Sequence, residues 1–239
     1  MNDVRPLPAA VPASAVGTRT VPHESAVLHA CGAAAYTDDL PEPRGTLFAA
    51  LGVSPVAHGR LRGLDLAAVR GAPGVVDVIV AADLPGANDV GPIVHDDPIL
   101  ADGTLHFAGQ PVFAVAATSV DAARRATTLA HMDIEPLPAI LTIDAALVAE
   151  AFVVAPVHVR RGDAAKALAQ APHRAQGEIR SGGQDHFYLE GQIALAVPQE
   201  DGGMHVHTST QHPGEVQHMV SRALGIDACA VVVHCRRMG

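Results

Sequence analysis

Residues 182–192, GGQDHFYLEGQ, gather two carboxylates, an imidazole and two amides beside an aromatic pair. Asp185, Glu190 and His186 can hold or pass protons, Gln184 and Gln192 can donate and accept hydrogen bonds, and Phe187 and Tyr188 offer apolar faces. By physics alone this is a polar-aromatic cluster with no reaction assigned to it. Residues 209–213, STQHP, put Gln211 at the end of an expected strand, just ahead of Pro213, which suits the first position of a helix. Side chains and backbone N–H groups at such a junction commonly meet anionic or oxo ligands. The competing reading is a helix cap with an exposed amide.

Other chemistries have weaker claims. His205 and His207 alternate on one face of an expected strand, as two metal ligands do, but two imidazoles without a third ligand are more often a polar strand face. Cys31, Cys229 and Cys235 are odd in number and match no disulfide, zinc or iron–sulfur spacing. They are expected to be small apolar core residues of a reducing compartment, with Cys229 and Cys235 able to share a strand face. No glycine-rich nucleotide loop and no G-x-S-x-G elbow occurs, so phosphate-loop and serine-hydrolase readings fall away.

These residues need a scaffold, and the chain spells out most of one. Residues 46–54, TLFAALGVS, read as a buried strand, and Asp65 can cap a short helix ended by Gly71 and Pro73. Strands are expected over 75–80, 111–119 and 132–140, a loop over 82–103, and a helix over 120–130 capped by Ser119. After a connection near 149–159, Asp163 can cap a helix over 164–169. Strands over 189–197 and 204–210 flank PQEDGG, whose Asp-Gly-Gly is a hairpin signal. A helix from Pro213 to Gly225 and a strand over 230–234 complete an α+β pattern. That last strand is expected to present an exposed edge and to favour self-association.

Composition narrows the function. With 239 residues and 49% apolar content the chain can bury a sizeable core. The net charge of −9, from 16 basic and 25 acidic residues, argues against nucleic acid as a partner. Aromatic residues make up 3% with no tryptophan, too few for base-stacking platforms. No run of eighteen apolar residues and no signal-peptide pattern is present, which predicts no membrane span and a cytoplasmic location.

Several segments, in one order, resemble the molybdopterin-binding subunit of the xanthine dehydrogenase and aldehyde oxidase family. They are PHESAVLHACGAAAYTDDLPEP, LHFAGQPVFAVAATSVDAAR, GQDHFYLEGQ, STQHP and VVVHCRRMG. Residues 1–23, with several prolines and small residues and no apolar periodicity, are expected to be a flexible leader, and the resemblance implies an a/b hammerhead domain over 24–140 and the beginning of the molybdenum-cofactor-binding domain over 141–239. It implies molybdopterin and molybdenum as cofactor and xanthine or hypoxanthine, in purine catabolism, as substrate. Gln211 matches a glutamine that hydrogen-bonds an oxygen ligand of molybdenum. Arg237, Met238 and Gly239 flank the position of a further cofactor-contacting motif, GGFGGKE, which does not occur here.

Two departures matter. The family usually has glutamate where Asp185 stands, and its catalytic base lies beyond Gly239, so no catalytic residue is expected in this chain, which reads as a truncated, inactive N-terminal fragment. Two 2Fe–2S clusters need about eight cysteine ligands, more than the three here can supply, so iron–sulfur clusters and FAD are expected on a partner subunit, as in the two-subunit bacterial arrangement. Two rival readings are a noncatalytic module that docks onto that partner and a fragment of a relative oxidising aldehydes or other heteroaromatics.

Overall fold

A computed structural model describes His23 and residues 25–236. Residues 1–22, which make up all of the expected leader but His23, and Glu24, Arg237, Met238 and Gly239 lie outside the described residues.

The first unit is organised around one apolar strand. After a short helix α1 (Ala26–Ala30) come β1 (Phe48–Val53), β2 (Gly59–Asp65), α2 (Ala67–Arg70), β3 (Val75–Val80), β4 (Thr104–Leu105), β5 (Pro111–Ala117), α3 (Val120–Thr127) and β6 (His131–Pro136). β5 runs antiparallel between β1 and β3, and β2 lies antiparallel between β4 and β6 in a second sheet. β5 turns one face fully into the core through Phe113, Val115 and Ala117, while on its other face Val112 is buried and Ala114 and Ala116 are half-buried. Helix α3 presents the small residues Ala122, Ala123 and Ala126 to this sheet, so its backbone can approach closely. The Ser119 hydroxyl accepts from the Ala122 N–H at 3.1 Å, as its place before the helix predicts.

Some expectations need correction. The helix from Val120 stops at Thr127 rather than Ala130, because Ala130 leads into β6. Asp65 closes β2 instead of occupying the cap of α2; Leu66 does, although the Asp65 carboxylate still accepts from the Ala67 N–H at 2.9 Å. Strand β2 has no counterpart among the expected elements. A register shift between Leu61 and Gly63 interrupts its alternation, which is the pattern a half-buried strand otherwise shows.

The second unit comprises α4 (Ile143–Val148), α5 (Ala164–Gln170), β7 (Ala194–Pro198), β8 (Met204–Thr208), α6 (Pro213–Leu224) and β9 (Val231–His234). The Asp163 carboxylate caps α5 through the Lys166 N–H at 2.9 Å. β7 and β8 form the expected hairpin, but β7 begins at Ala194, and residues 189–193 are not strand. β8 and β9 are parallel and joined through α6, the crossover that parallel pairing requires. Between α4 and β7 the chain has no strand, and Phe152, Val159, Ile179, Phe187 and Leu189 face solvent.

The thiols are not core residues. Cys31 and Cys229 are exposed and Cys235 is half-buried, and none of the three is in a disulfide. Cys229 lies in a short 3₁₀ turn (Ala228–Ala230) before β9 and Cys235 directly after it, so they flank that strand rather than share its face.

Candidate functional site

The junction between β8 and α6 is built from backbone geometry first. β8 keeps Val206 buried while His205 and His207 fall on its other face. Beyond Thr208 the chain is tied to the segment before β7: the Thr208 hydroxyl donates to the Ile193 carbonyl at 2.9 Å and the Ser209 hydroxyl to the Gly191 carbonyl at 2.8 Å. The Thr210 hydroxyl accepts from the His212 N–H at 3.0 Å, and the Cys235 thiol donates to the Thr210 carbonyl at 2.9 Å. Pro213 then opens α6, and Gly225 ends it in the left-handed conformation with φ +66°.

Gln211 sits in this braced turn with an exposed side chain, immediately before the N-cap residue His212. Its amide can donate and accept, and the N–H groups of the first turn of α6 add positive potential beside it. The arrangement can hold an oxygen-bearing or anionic group by hydrogen bonds. The Gln211 amide itself supplies neither a nucleophile nor a base.

The 182–192 cluster is brought in only at its end. Glu190 accepts from the Thr37 N–H at 2.7 Å, linking the segment before β7 to the segment after α1. Asp185 and His186 stay exposed, and Phe187, 94% exposed, adopts φ +49°. The seven polar and aromatic side chains therefore do not converge on one point.

The histidine pair acquires a third member that sequence reasoning missed. The parallel register sets His207 opposite His234, and their rings stack with centroids 4.6 Å apart and planes 14° from parallel. The His205 ring lies 5.5 Å from that of His234. With Tyr36, Glu190 and Arg236, the stacked pair lines a small pocket between the two units. Burial first, then the charges of His234, Arg236 and His205, hold the His207 imidazole below its ordinary pKa. Among the described residues no group of three or more His, Cys, Asp or Glu side chains is placed to hold a metal ion. The histidines are packed ring on ring. Only the register of two strands 27 positions apart reveals this, and each histidine alone gives no signal.

Residues 31–138 match the model of the aldehyde oxidase and xanthine dehydrogenase a/b hammerhead domain, and residues 148–239 match that of the molybdopterin cofactor-binding domain. Over 220 residues the chain is 39% identical to a xanthine dehydrogenase of Drosophila subobscura, covering 91% of this chain and 16% of that protein. The chain belongs to the xanthine dehydrogenase and aldehyde oxidase family. Its fold is a hammerhead domain followed by the start of a molybdenum-cofactor-binding domain. Aldehyde oxidase 2 of Rattus norvegicus is 37% identical over 223 residues, again with 16% of the relative covered. Among solved structures, an aldehyde oxidoreductase from Desulfovibrio gigas superposes with a TM-score of 0.78 at 27% identity, covering 90% of this chain and 26% of that one. Quinoline 2-oxidoreductase from Pseudomonas putida 86 gives 0.76 at 28% identity, covering 90% and 29%. The chain thus spans 16% of the length of these curated relatives.

The family's cofactor is a molybdenum-bearing pterin, and this chain's donor set fits one part of its surroundings. An exposed primary amide beside a helix N-terminus suits a hydrogen bond to an oxygen carried by such a group. When bound, the cofactor would supply the redox chemistry. Gln211 itself is held in a turn fixed by Thr210, Ser209 and Cys235.

Proposed function

We propose that this chain is the N-terminal portion of the molybdenum subunit of a purine-oxidising hydroxylase, and that Gln211 hydrogen-bonds an oxygen ligand of the metal. The observation that carries the reading is the exposed Gln211 amide, held between β8 and α6 by bonds from both neighbouring segments. Xanthine and hypoxanthine are the substrates of this reading, and the similarity to xanthine dehydrogenases over most of the chain supports it. The iron–sulfur clusters and FAD of this reading lie outside these 239 residues, whose three cysteines cannot ligate two clusters, and a partner subunit carries them. The enzyme works in the cytoplasm.

A second reading, an enzyme for aldehydes or for heteroaromatics other than purines, is favoured by the similarity to the aldehyde and quinoline oxidoreductases. The complete subunit, purified with its native partner, is assayed for molybdenum content and for oxidation of xanthine, hypoxanthine, benzaldehyde and quinoline. Fastest turnover of the purines supports the first reading. A preference for benzaldehyde or quinoline transfers the assignment to the second. Partner binding without molybdenum or turnover leaves only a docking role.

A further inference from the structure

The last turn of α6 is capped by the other unit. A helix leaves its final carbonyls without intrahelical donors, and here two of them are served by the loop after β3: the Gly86 N–H donates to the Ala223 carbonyl at 3.0 Å and the Ala87 N–H to the Arg222 carbonyl at 2.9 Å. A Cβ at position 86 would overlap the Arg222 carbonyl oxygen, so only glycine permits this approach. The next contact is ionic. The Arg222 guanidinium donates to the Asp89 carboxylate at 2.8 Å, with the Asp89 side chain only 14% exposed.

The loop that presents these groups is itself held rigid. The Asn88 side chain donates to the Leu100 carbonyl at 2.8 Å and accepts from the Leu100 N–H at 3.0 Å, anchoring the loop beside a buried leucine. Asp89 accepts from the Gly91 N–H at 3.1 Å, the Asp97 N–H at 3.3 Å and His95 Nδ1 at 2.9 Å. His95 Nδ1 also lies 2.9 Å from the Gly91 carbonyl and 3.2 Å from the Arg222 guanidinium, so the imidazole joins the same cluster. Asp89 is thus braced by three donors of its own loop before it meets α6.

We propose that Asp89 is a positioning residue: through Arg222 it fixes α6 against the hammerhead unit, and through that helix it sets the position of Gln211. An α-helix is stiff along its axis, and twelve residues carry a displacement about 18 Å, from the capped end to the turn that holds Gln211. The carboxylate sits near the negative end of the helix dipole, an unfavourable place unless a cation stands between, and Arg222 is that cation. The link to catalysis rests on the role of Gln211 proposed above; the mechanical link does not.

The test is amide NMR on the whole 239-residue chain, with Asp89→Asn as the main variant and Arg222→Lys as the second. Neither changes side-chain size much, and neither touches the buried core. Expected are lost hydrogen-exchange protection at Gly86 and Ala87, and shifts of the Gln211 side-chain amide and the His212 and Gly214 N–H signals larger than any in β5. Unmoved signals from 211 to 214 in both variants, with changes confined to 86–89 and 222, would overturn the proposal and reduce the contact to a local tie. No molybdenum enters the experiment. If the shifts occur while Gln211→Ala leaves turnover of the complete subunit intact, the clamp stands and the assigned role of Gln211 fails.

Discussion

The His207 and His234 rings lie face to face across the β8–β9 pair, in a pocket that also receives Arg236. Protonating His207 there adds a cation beside three other basic groups, with burial the larger penalty, so its folded pKa lies below the ordinary 6.5. Above that value neither folded nor unfolded chain is charged at this site, and it contributes nothing to pH dependence. As pH falls through 6.5 the unfolded chain takes up the proton first, so stability declines until the folded pKa is passed. Urea melts from pH 8 to 5 should show this loss, and His207→Phe, which keeps a ring in the stack, should remove most of it. A decline of the same size in the variant would assign the effect to another group.

The thiols give a rapid check on the fold. In the native chain Cys31 and Cys229 are exposed and should react at once with a thiol reagent. Cys235, half-buried and bonded to the Thr210 carbonyl, should react more slowly. Three equally fast thiols would mean that the turn before α6 is open.

The hammerhead core should behave as one packed body. Phe113→Ala, at the centre of β5, is expected to cost about 3–5 kcal/mol, and Ser119→Ala, which removes the cap of α3, about 1 kcal/mol. Denaturant melts report both. A Phe113 variant of nearly unchanged stability would contradict the burial of that ring.

In the complete subunit, Gln211→Ala should lower turnover about 10- to 100-fold, the usual effect of losing a hydrogen-bonding partner around a metal centre, while the fold is kept. Unchanged turnover, with molybdenum content also unchanged, would remove Gln211 from the site.

What could be read beforehand follows from where the signal resides. β3 lies within its β-branched run, and α3, α5 and α6 begin where Ser119, Asp163 and Pro213 foretell, because caps and N-terminal prolines act locally. β2 escaped because its register shift at Arg62 breaks the alternation, and β7 was drawn too long because Leu189 and Ile193 look like strand residues but lie in a segment bonded through side chains to other parts of the chain. Gln211 stood out as a strand-end amide, but its assigned partner came from the family resemblance alone. The clamp on α6 was invisible: two of its donors are backbone N–H groups, and no side-chain pattern marks them.

Gln217 extends the bracing of α6 to its other neighbour. Its side-chain amide donates to the Ala228 carbonyl at 3.0 Å and to the Val231 carbonyl at 2.8 Å, the second belonging to a fully buried residue at the start of β9. Gln217→Leu keeps most of the volume but removes both donors, and a half-buried carbonyl that loses its partner is costlier than the net worth of the bond. The expected loss is about 1–3 kcal/mol in a denaturant melt, with hydrogen exchange accelerating in β9 more than in β7. Equal acceleration in both strands would mean that the sheet opens as a unit and that Gln217 does not hold β9 individually.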